Sequence, residues 1–341
     1  MKTKQILVIA SLLASVSVGC AADKPEAQIT FRLIDENHAP LANVPVHVVT
    51  LDHVAPGAGF GDSIYKETNV LTDIKGLAGI TWTSADGQFS YNVKNLPNYY
   101  EGGGLYRFES QLAGQWQPWD ASVVLVLKPI VNPVPMYAKQ AELTIPKFNT
   151  PVGYDLMVGD WTSPYGKGKI SDLIFQFDCA PTAWVTNWYG NSPRPQALHD
   201  NKLTIGFSNK QDGIQPVVLP KDNQSALVLP RQAPADGYEP NITKHDYDQI
   251  TGKQKQNTTI QHRADFREDQ GYFFRIRAVD QDGKIVSARY GKMGGDFRFW
   301  ADGKIRFGYY LNPEVNSRNV EFDPKRNLFV NLKEFEQVSA P

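Results

Sequence analysis

Cysteine is scarce in this chain, with Cys20 and Cys179 its only two. That excludes the disulfide framework that staples small secreted domains, so stability has to come from ordinary apolar cores. An excess of charge of either sign is also missing: 35 Lys and Arg face 36 Asp and Glu. Such a balance offers no cationic field to a nucleic-acid backbone, and no nucleic-acid partner is expected. After the first segment, no apolar run approaches the roughly 20 residues a membrane-spanning helix needs. The six histidines are His38, His47, His53, His199, His245 and His262. None stands in H-E-x-x-H or another close metal-ligand spacing, and the chain has no G-x-S-x-G elbow. Gly166-Lys167-Gly168-Lys169 lacks the Walker spacing and precedes a strand pattern rather than a helix, so no nucleotide, metal or other cofactor is implied.

What the chain does have begins with an export signal. Lys2 and Lys4 form a cationic start, and Ile6 to Val18 is an apolar run too short to span a bilayer. Ser17-Val18-Gly19 before Cys20 resembles a bacterial lipobox, which implies cleavage at residue 20 and lipidation of Cys20. Ser17 stands where that pattern has Leu, and the alternative is ordinary cleavage near Ala21 or Ala22. The expected location is an outer-membrane or cell-surface lipoprotein, or else a periplasmic or secreted protein. A lipid on Cys20 would be its only membrane attachment. The other thiol, Cys179, ends an alternating apolar run and reads as a small buried hydrophobe rather than a nucleophile.

Short alternating runs separated by Gly, Asn, Asp and Pro recur throughout, and helical periodicity is rare. QITFRLID (28–35), VPVHVVTL (44–51), SVVLVLK (122–128), DLIFQFD (172–178) and KLTIGFS (202–208) are examples. Asp-Gly at 282–283 and 302–303 marks two late hairpins, because that turn needs positive φ. The fold class expected is all-β, as two β-sandwich domains after a signal peptide at 1–20. One domain spans 23–128 and the other 151–341. The prolines crowded into 129–150, with Pro151 a fifth just beyond, read as a linker with the join near Pro146. The polar stretch from about 209 to 262 reads as a long, partly flexible excursion between strands.

Two passages carry a resemblance. In ITFRLIDENHAPLANVPVHVV a strand ends in a polar turn at Asp35 to His38 and a second begins near Val44. In LTDIKGLAGI, Thr72, Asp73 and Gly76 form a T-D-x-x-G turn. Residues 27 to about 128 thereby resemble the carboxypeptidase regulatory-like module, a prealbumin-type sandwich, with Ig-like relatives as the alternative. The resemblance implies scaffolding, spacing or recognition, and no active site. On the residues alone, Asp73 caps its own turn and Gly76 supplies a positive φ. VGYDLMVGDWTSPYGKGKISDLIFQF (152–177) and the closing segment 287–329 resemble an uncharacterised group of secreted bacterial proteins, which supplies no activity.

Two groups of residues in the C-terminal part are candidates for ligand binding. Asp160, Trp161, Tyr165 and Lys167, with Asp172 beyond them, could form a polar and aromatic rim, or simply a glycine-rich turn feeding a strand. Trp184, Trp188 and Tyr189 lie in APTAWVTNWYGNSPRP, which reads as a loop suited to an aromatic platform. Flat indole faces stack on sugar rings, so a glycan or another envelope component is the expected partner. Arg275, Arg277, Arg289, Arg298 and Arg306 recur on the late hairpins, as a solvated sheet face or an anion-binding one. The leading expectation is a non-catalytic binding or structural role with no catalytic residue. The alternative is a secreted hydrolase acting on glycans through carboxylates such as Asp160 and Asp172. The sequence fixes no oligomeric state.

Overall fold

A computed structural model describes residues 24–54, 63–84, 86–220, 224–254 and 257–341. The expected leader at 1–20, with Cys20, lies outside the described residues. Strands account for nearly all regular structure among the described residues, the exception being a 3-10 turn at Glu334–Glu336. The protein is all-β and built from two β-sandwiches.

The N-terminal sandwich uses eight strands: β1 (Glu26–Asp35), β2 (Pro45–Val54), β3 (Ser63–Leu71), β4 (Leu77–Thr83), β5 (Gln88–Val93), β6 (Gly102–Arg107), β7 (Ser110–Leu112) and β8 (Gln115–Leu127). They form two sheets, β4-β1-β8-β7 and β3-β2-β5-β6. The strand period of two turns Ala27, Ile29, Phe31 and Leu33 inward from β1, while Thr30 and Arg32 face solvent. They meet Val46 and Val48 of β2, Phe89, Tyr91 and Val93 of β5, and Ala121, Val123 and Leu125 of β8. Each large side chain so buried stabilises the fold by about 1.5–3 kcal/mol relative to exposure.

The T-D-x-x-G turn is a structural clamp. Asp73 Oδ1 accepts the backbone N–H of Lys75 and of Leu77, at 2.8 and 2.9 Å. Thr72 Oγ1 accepts from Val44 N at 2.9 Å and donates to the Leu41 carbonyl at 2.6 Å, tying the turn to the start of β2. Gly76 has φ +73°, and a Cβ there would fall 2.4 Å from the Leu33 carbonyl oxygen. Only glycine fits that close approach.

The C-terminal sandwich runs through β9 (Val134–Thr144), β10 (Val152–Asp155), β11 (Asp160–Trp161), β12 (Leu173–Tyr189), β13 (Ser192–Gly206), β14 (Gly213–Val218), β15 (Asn241–Gln254), β16 (Asn257–Ala264), β17 (Gln270–Gln281), β18 (Lys284–Met293), β19 (Arg298–Phe299), β20 (Lys304–Leu311) and β21 (Phe322–Asn327). One sheet has the order β11-β10-β12-β13-β15-β16; the other is β14-β17-β18-β20-β9-β21, with β19 on β20. Between them lies an aromatic core that includes Tyr154, Phe175, Phe274, Phe297, Phe307 and Tyr309. The second sheet is buried on its other face as well, where Met136, Ala138, Phe273, Tyr310 and Phe322 pack under Leu229 and Ala233.

Two sequence expectations change here. Residues 134–144 are not linker: β9 lies between β20 and β21 and pairs with β20 from Lys304↔Thr144 to Leu311↔Tyr137. The connection shrinks to 129–133, Pro135 is taken into the start of β9, and the apolar alternation that follows claims a central sheet position. Part of the polar stretch 209–262 is strand, with β14 on β17 and most of the β15–β16 hairpin inside it.

Side chains and backbone lock the sandwiches together. Tyr100 donates to Glu321 Oε1 at 2.7 Å, and Lys128 Nζ donates to the Leu227 carbonyl at 2.7 Å. Arg231 pairs with Glu36 at 2.9 Å, and Ala226 N bonds the Glu101 carbonyl at 2.8 Å. Glu321, 1% exposed, also accepts the N–H groups of Val131 and Asn132, both at 2.9 Å, and so fixes the short connector.

Candidate functional site

The first sheet sends two hairpins away from the sandwich. β12 and β13 pair from Ile174↔Gly206 out to Tyr189↔Ser192. β13 pairs with β15 only between Asp200↔Tyr247 and Gly206↔Asn241, so both hairpins continue past their shared edge as separate arms. Gly190 takes φ +63° in the two-residue turn of the first arm, at the loop position where a tight hairpin accepts glycine. The segment 180–195, read from sequence as a loop, is this arm. Val, Thr, Trp and Tyr favour strand, and Gly190-Asn191 between them is a hairpin signal.

Side chains clasp the two arms near their ends. Asn187 accepts Thr258 N–H at 2.7 Å and donates to the Thr258 carbonyl at 3.2 Å. Asn257 accepts Trp188 N–H at 2.6 Å and donates to the Trp188 carbonyl at 3.1 Å. Nearer the sandwich, His262 stands 3.0 Å from Asp246 and 3.3 Å from Asp248, and Asp248 accepts His199 N–H at 3.1 Å. Burial raises the pKa of Asp246, an effect that His262 opposes and Asp248 reinforces. Among the described residues, no group of three or more His, Cys, Asp or Glu could hold a metal ion.

The arm presents the aromatic residues singled out in the sequence. Cross-strand pairing puts Trp184, Thr186 and Trp188 on one face with Ala197, Pro195 and Pro193. Trp184 is 68% exposed and Trp188 38%, and the four-residue spacing sets their Cα atoms about 13 Å apart. Tyr189, on the opposite face, is 64% exposed and lies under the Arg194 guanidinium at 5.2 Å.

The other expected rim does not assemble. Trp161 is 6% exposed and meets Tyr154 and Phe175 edge-on, at 5.5 and 5.6 Å, so neither indole face is free for a sugar. Asp160 accepts the backbone N–H of Trp161 at 2.8 Å through Oδ1 and that of Lys167 at 2.9 Å through Oδ2. Tyr165 and Lys167 remain exposed in the turn that follows.

Asp172 and Arg277 form a buried network absent from the sequence reading. Arg277 donates through Nε and Nη2 to the two carboxylate oxygens of Asp172, both at 2.8 Å, and through Nη2 to Asp155 at 3.2 Å. Burial works to raise the pKa of Asp155, but N–H groups of Lys169, Ile170 and Val158 outweigh it and hold the carboxyl below its ordinary value. For Asp172 burial wins over Arg277 and the pKa is raised. Gly168 allows the close approach: a Cβ there would meet the Asp155 Cβ at 2.8 Å. The glycine-lysine string therefore feeds N–H groups to a buried carboxylate. The Asp172 side chain is wholly shielded from solvent in its pairing with Arg277, so it presents no carboxylate to a glycan on the surface.

The arginines also divide. Regular alternation would place Arg275 and Arg277 on one solvated face, but Arg275 is 8% exposed, bonded to the Gln211 and Ala235 carbonyls and stacked 4.7 Å over Tyr238. Arg277 adopts φ +52° where the β17–β18 register shifts, and its N–H and that of Ala278 bond Asp212 at 2.9 and 2.8 Å. Burial pushes the Asp212 pKa up to about 6. A bulge leaves N–H groups unpaired in the ladder, and Asp212 takes them up. Its only sequence signal was an acidic residue shortly before a strand.

No protein-family model matches the chain, and no curated protein matches it. Among solved structures, the major pilin SpaD of Corynebacterium diphtheriae aligns over 86% of this chain and 84% of its own, at 11% identity and TM-score 0.24. The shaft pilin spaA of Lactobacillus rhamnosus GG aligns over 59% of this chain and 94% of its own, at 9% identity and TM-score 0.22. A streptococcal ancillary pilin aligns over 50% of this chain, which spans 58% of that protein, at 13% identity and TM-score 0.20. Superpositions this loose transfer no function.

Proposed function

We propose that this chain is an exported, cell-surface or envelope-associated protein with a non-catalytic binding role, and that the clasped hairpin arm is its recognition surface. The observation that carries this reading is the exposure of Trp184 and Trp188 together on one face of a strand pair. An indole left in water forgoes the burial that would stabilise the fold, and a sugar ring stacked on it would restore that contact. The class of ligand proposed is a neutral glycan, with Pro193 and Pro195 extending the apolar strip. Export rests on the leader and attachment on Cys20.

A glycan array with the purified protein, beside the Trp184→Ala/Trp188→Ala variant, tests the reading. Binding that falls at least tenfold in the variant is the expected result. Binding to no glycan, or equal binding by both proteins, would sink it. Radiolabelled palmitate incorporation into wild type but not Cys20→Ser would establish the anchor; an unlabelled wild type would mean free secretion.

A further inference from the structure

A cavity of about 540 Å³ opens beside the second sheet, between β18, β20, the loop before β17 and the residues at 338–341. Its walls carry more cations than their acids neutralise. Arg298 of β19 and Arg306 of β20 are direct cross-strand partners, and both line the cavity. Like charges set directly opposite each other in a sheet repel and destabilise it. Neither guanidinium has an ion-pair partner among the described residues. Glu142 is the strand neighbour of Arg306 on β9 but forms no ion pair with it. Arg298 lies flat on Phe266, 4.3 Å from ring centre to guanidinium carbon, which holds its fork in place.

The nearby acids are engaged elsewhere. Asp296 accepts from Lys244 Nζ at 2.8 Å and Arg267 N at 2.9 Å through Oδ2, and from Tyr272 and Phe297 N through Oδ1. The Arg267 guanidinium is held by Asp269 at 2.9 and 3.1 Å. Glu268 is the one remaining carboxylate on the wall, and it is exposed.

Deeper in the same cavity sits Lys292, 2% exposed, its ammonium donating to the Pro341 carbonyl oxygen at 2.9 Å and lying 5.2 Å from the centre of the Tyr310 ring. An ammonium has three donors, and this one bonds a single protein oxygen. Burial lowers its pKa to about 7, with Glu321 raising it and Lys128 lowering it further. Gly294 and Gly295 also line the cavity, and a side chain at either would meet open space.

We infer that this cavity binds a small oxyanion-bearing molecule of sugar size, its carboxylate or phosphate held by Arg298 and Arg306 with Lys292 behind them. Paired guanidinium forks match the geometry of such oxyanions, and the ligand charge offsets the repulsion between the arginines. The volume lies within the range of small-molecule sites. This inference stands apart from the arm, and either can fail without the other.

Calorimetric titration of the purified protein with glucose 6-phosphate, glucuronate, inorganic phosphate and glucose tests it. Saturable 1:1 binding of an anion, no binding of glucose, and a tenfold or greater loss in both Arg298→Ala and Arg306→Ala are expected. Both arginines are exposed, so thermal unfolding should show the variants folded. Arg263→Ala, on β16, and Trp184→Ala should bind as wild type does. Equal affinity for free phosphate and the sugar phosphate would identify the free oxyanion as the ligand and uphold the chemistry. Saturation by none of the anions, equal binding of glucose, or undiminished binding by the arginine variants would overturn the inference.

Discussion

Asp172 and Arg277 are joined by two parallel hydrogen bonds of 2.8 Å, with the Asp172 side chain wholly shielded from solvent. The pair ties the turn before β12 to the bulge in β17, and so couples the two sheets at one end of the sandwich. Removing Asp172 takes both 2.8 Å bonds from Arg277 and leaves its buried charge only the longer 3.2 Å contact to Asp155. Asp172→Ala should therefore cost about 3–5 kcal/mol, read from urea unfolding. The Asp172→Leu/Arg277→Met double variant should lose less than the sum of its parts, because neither charge is left behind.

Lys292 predicts a pH dependence with a definite sign. Its pKa falls from 10.5 to about 7 on folding because burial disfavours the ammonium. Between those values the unfolded chain binds a proton that the folded chain does not, so stability rises with pH across that window. Below about pH 7 the folded state carries the full cost of the buried charge. The advantage of Lys292→Met over wild type should be greatest at pH 6 and shrink towards pH 10. Unfolding midpoints of both proteins across that range check it; a constant difference would contradict the assignment.

Tryptophan substitutions should separate core from surface. Trp161→Ala empties a site among Tyr154 and Phe175 and should cost about 3–5 kcal/mol. Trp184→Ala, at 68% exposure, should change stability by no more than about 0.5 kcal/mol. Denaturant midpoints provide the measurement, and a large loss at Trp184 would mean that the arm is held by its indole.

The clasp between the arms should be separable from the sandwich. Asn257→Ala removes both bonds to Trp188, and amide exchange at Trp188 should speed up while that of Phe175 and Phe274 in the core stays unchanged. Mass-spectrometric hydrogen exchange reports both. Unaltered exchange at Trp188 would show that the arms hold together without these bonds.

Most of the fold was legible because strand periodicity and turn chemistry are local. Phe31 and Leu33 alternate with Arg32, and the T-D-x-x-G turn demands Gly76 whatever lies beyond it. Where non-local pairing overrode local composition, the reading failed. Proline density marked 129–150 as linker, yet β20 recruited residues 134–144 as a central strand. The polarity of 209–262 read as a partly flexible excursion, although the strands of its β15–β16 hairpin, largely exposed, have no need of apolar alternation.

The candidate site divides in the same way. The sequence by itself determined an all-β chain with the aromatic string Trp184, Trp188, Tyr189, and no close metal or catalytic spacing. Only the tertiary structure decided that these rings stand exposed on an arm while Trp161 fills a core, because burial depends on what another sheet brings opposite. It also decided which acids were spent. Asp172 and Arg277 lie 105 residues apart and meet only once the sheets have stacked. Charges distant in sequence carry no local signal of their partners, so the pairing of Asp172, and the lack of an ion-pair partner for Arg298 and Arg306 among the described residues, were equally invisible until the chain was folded.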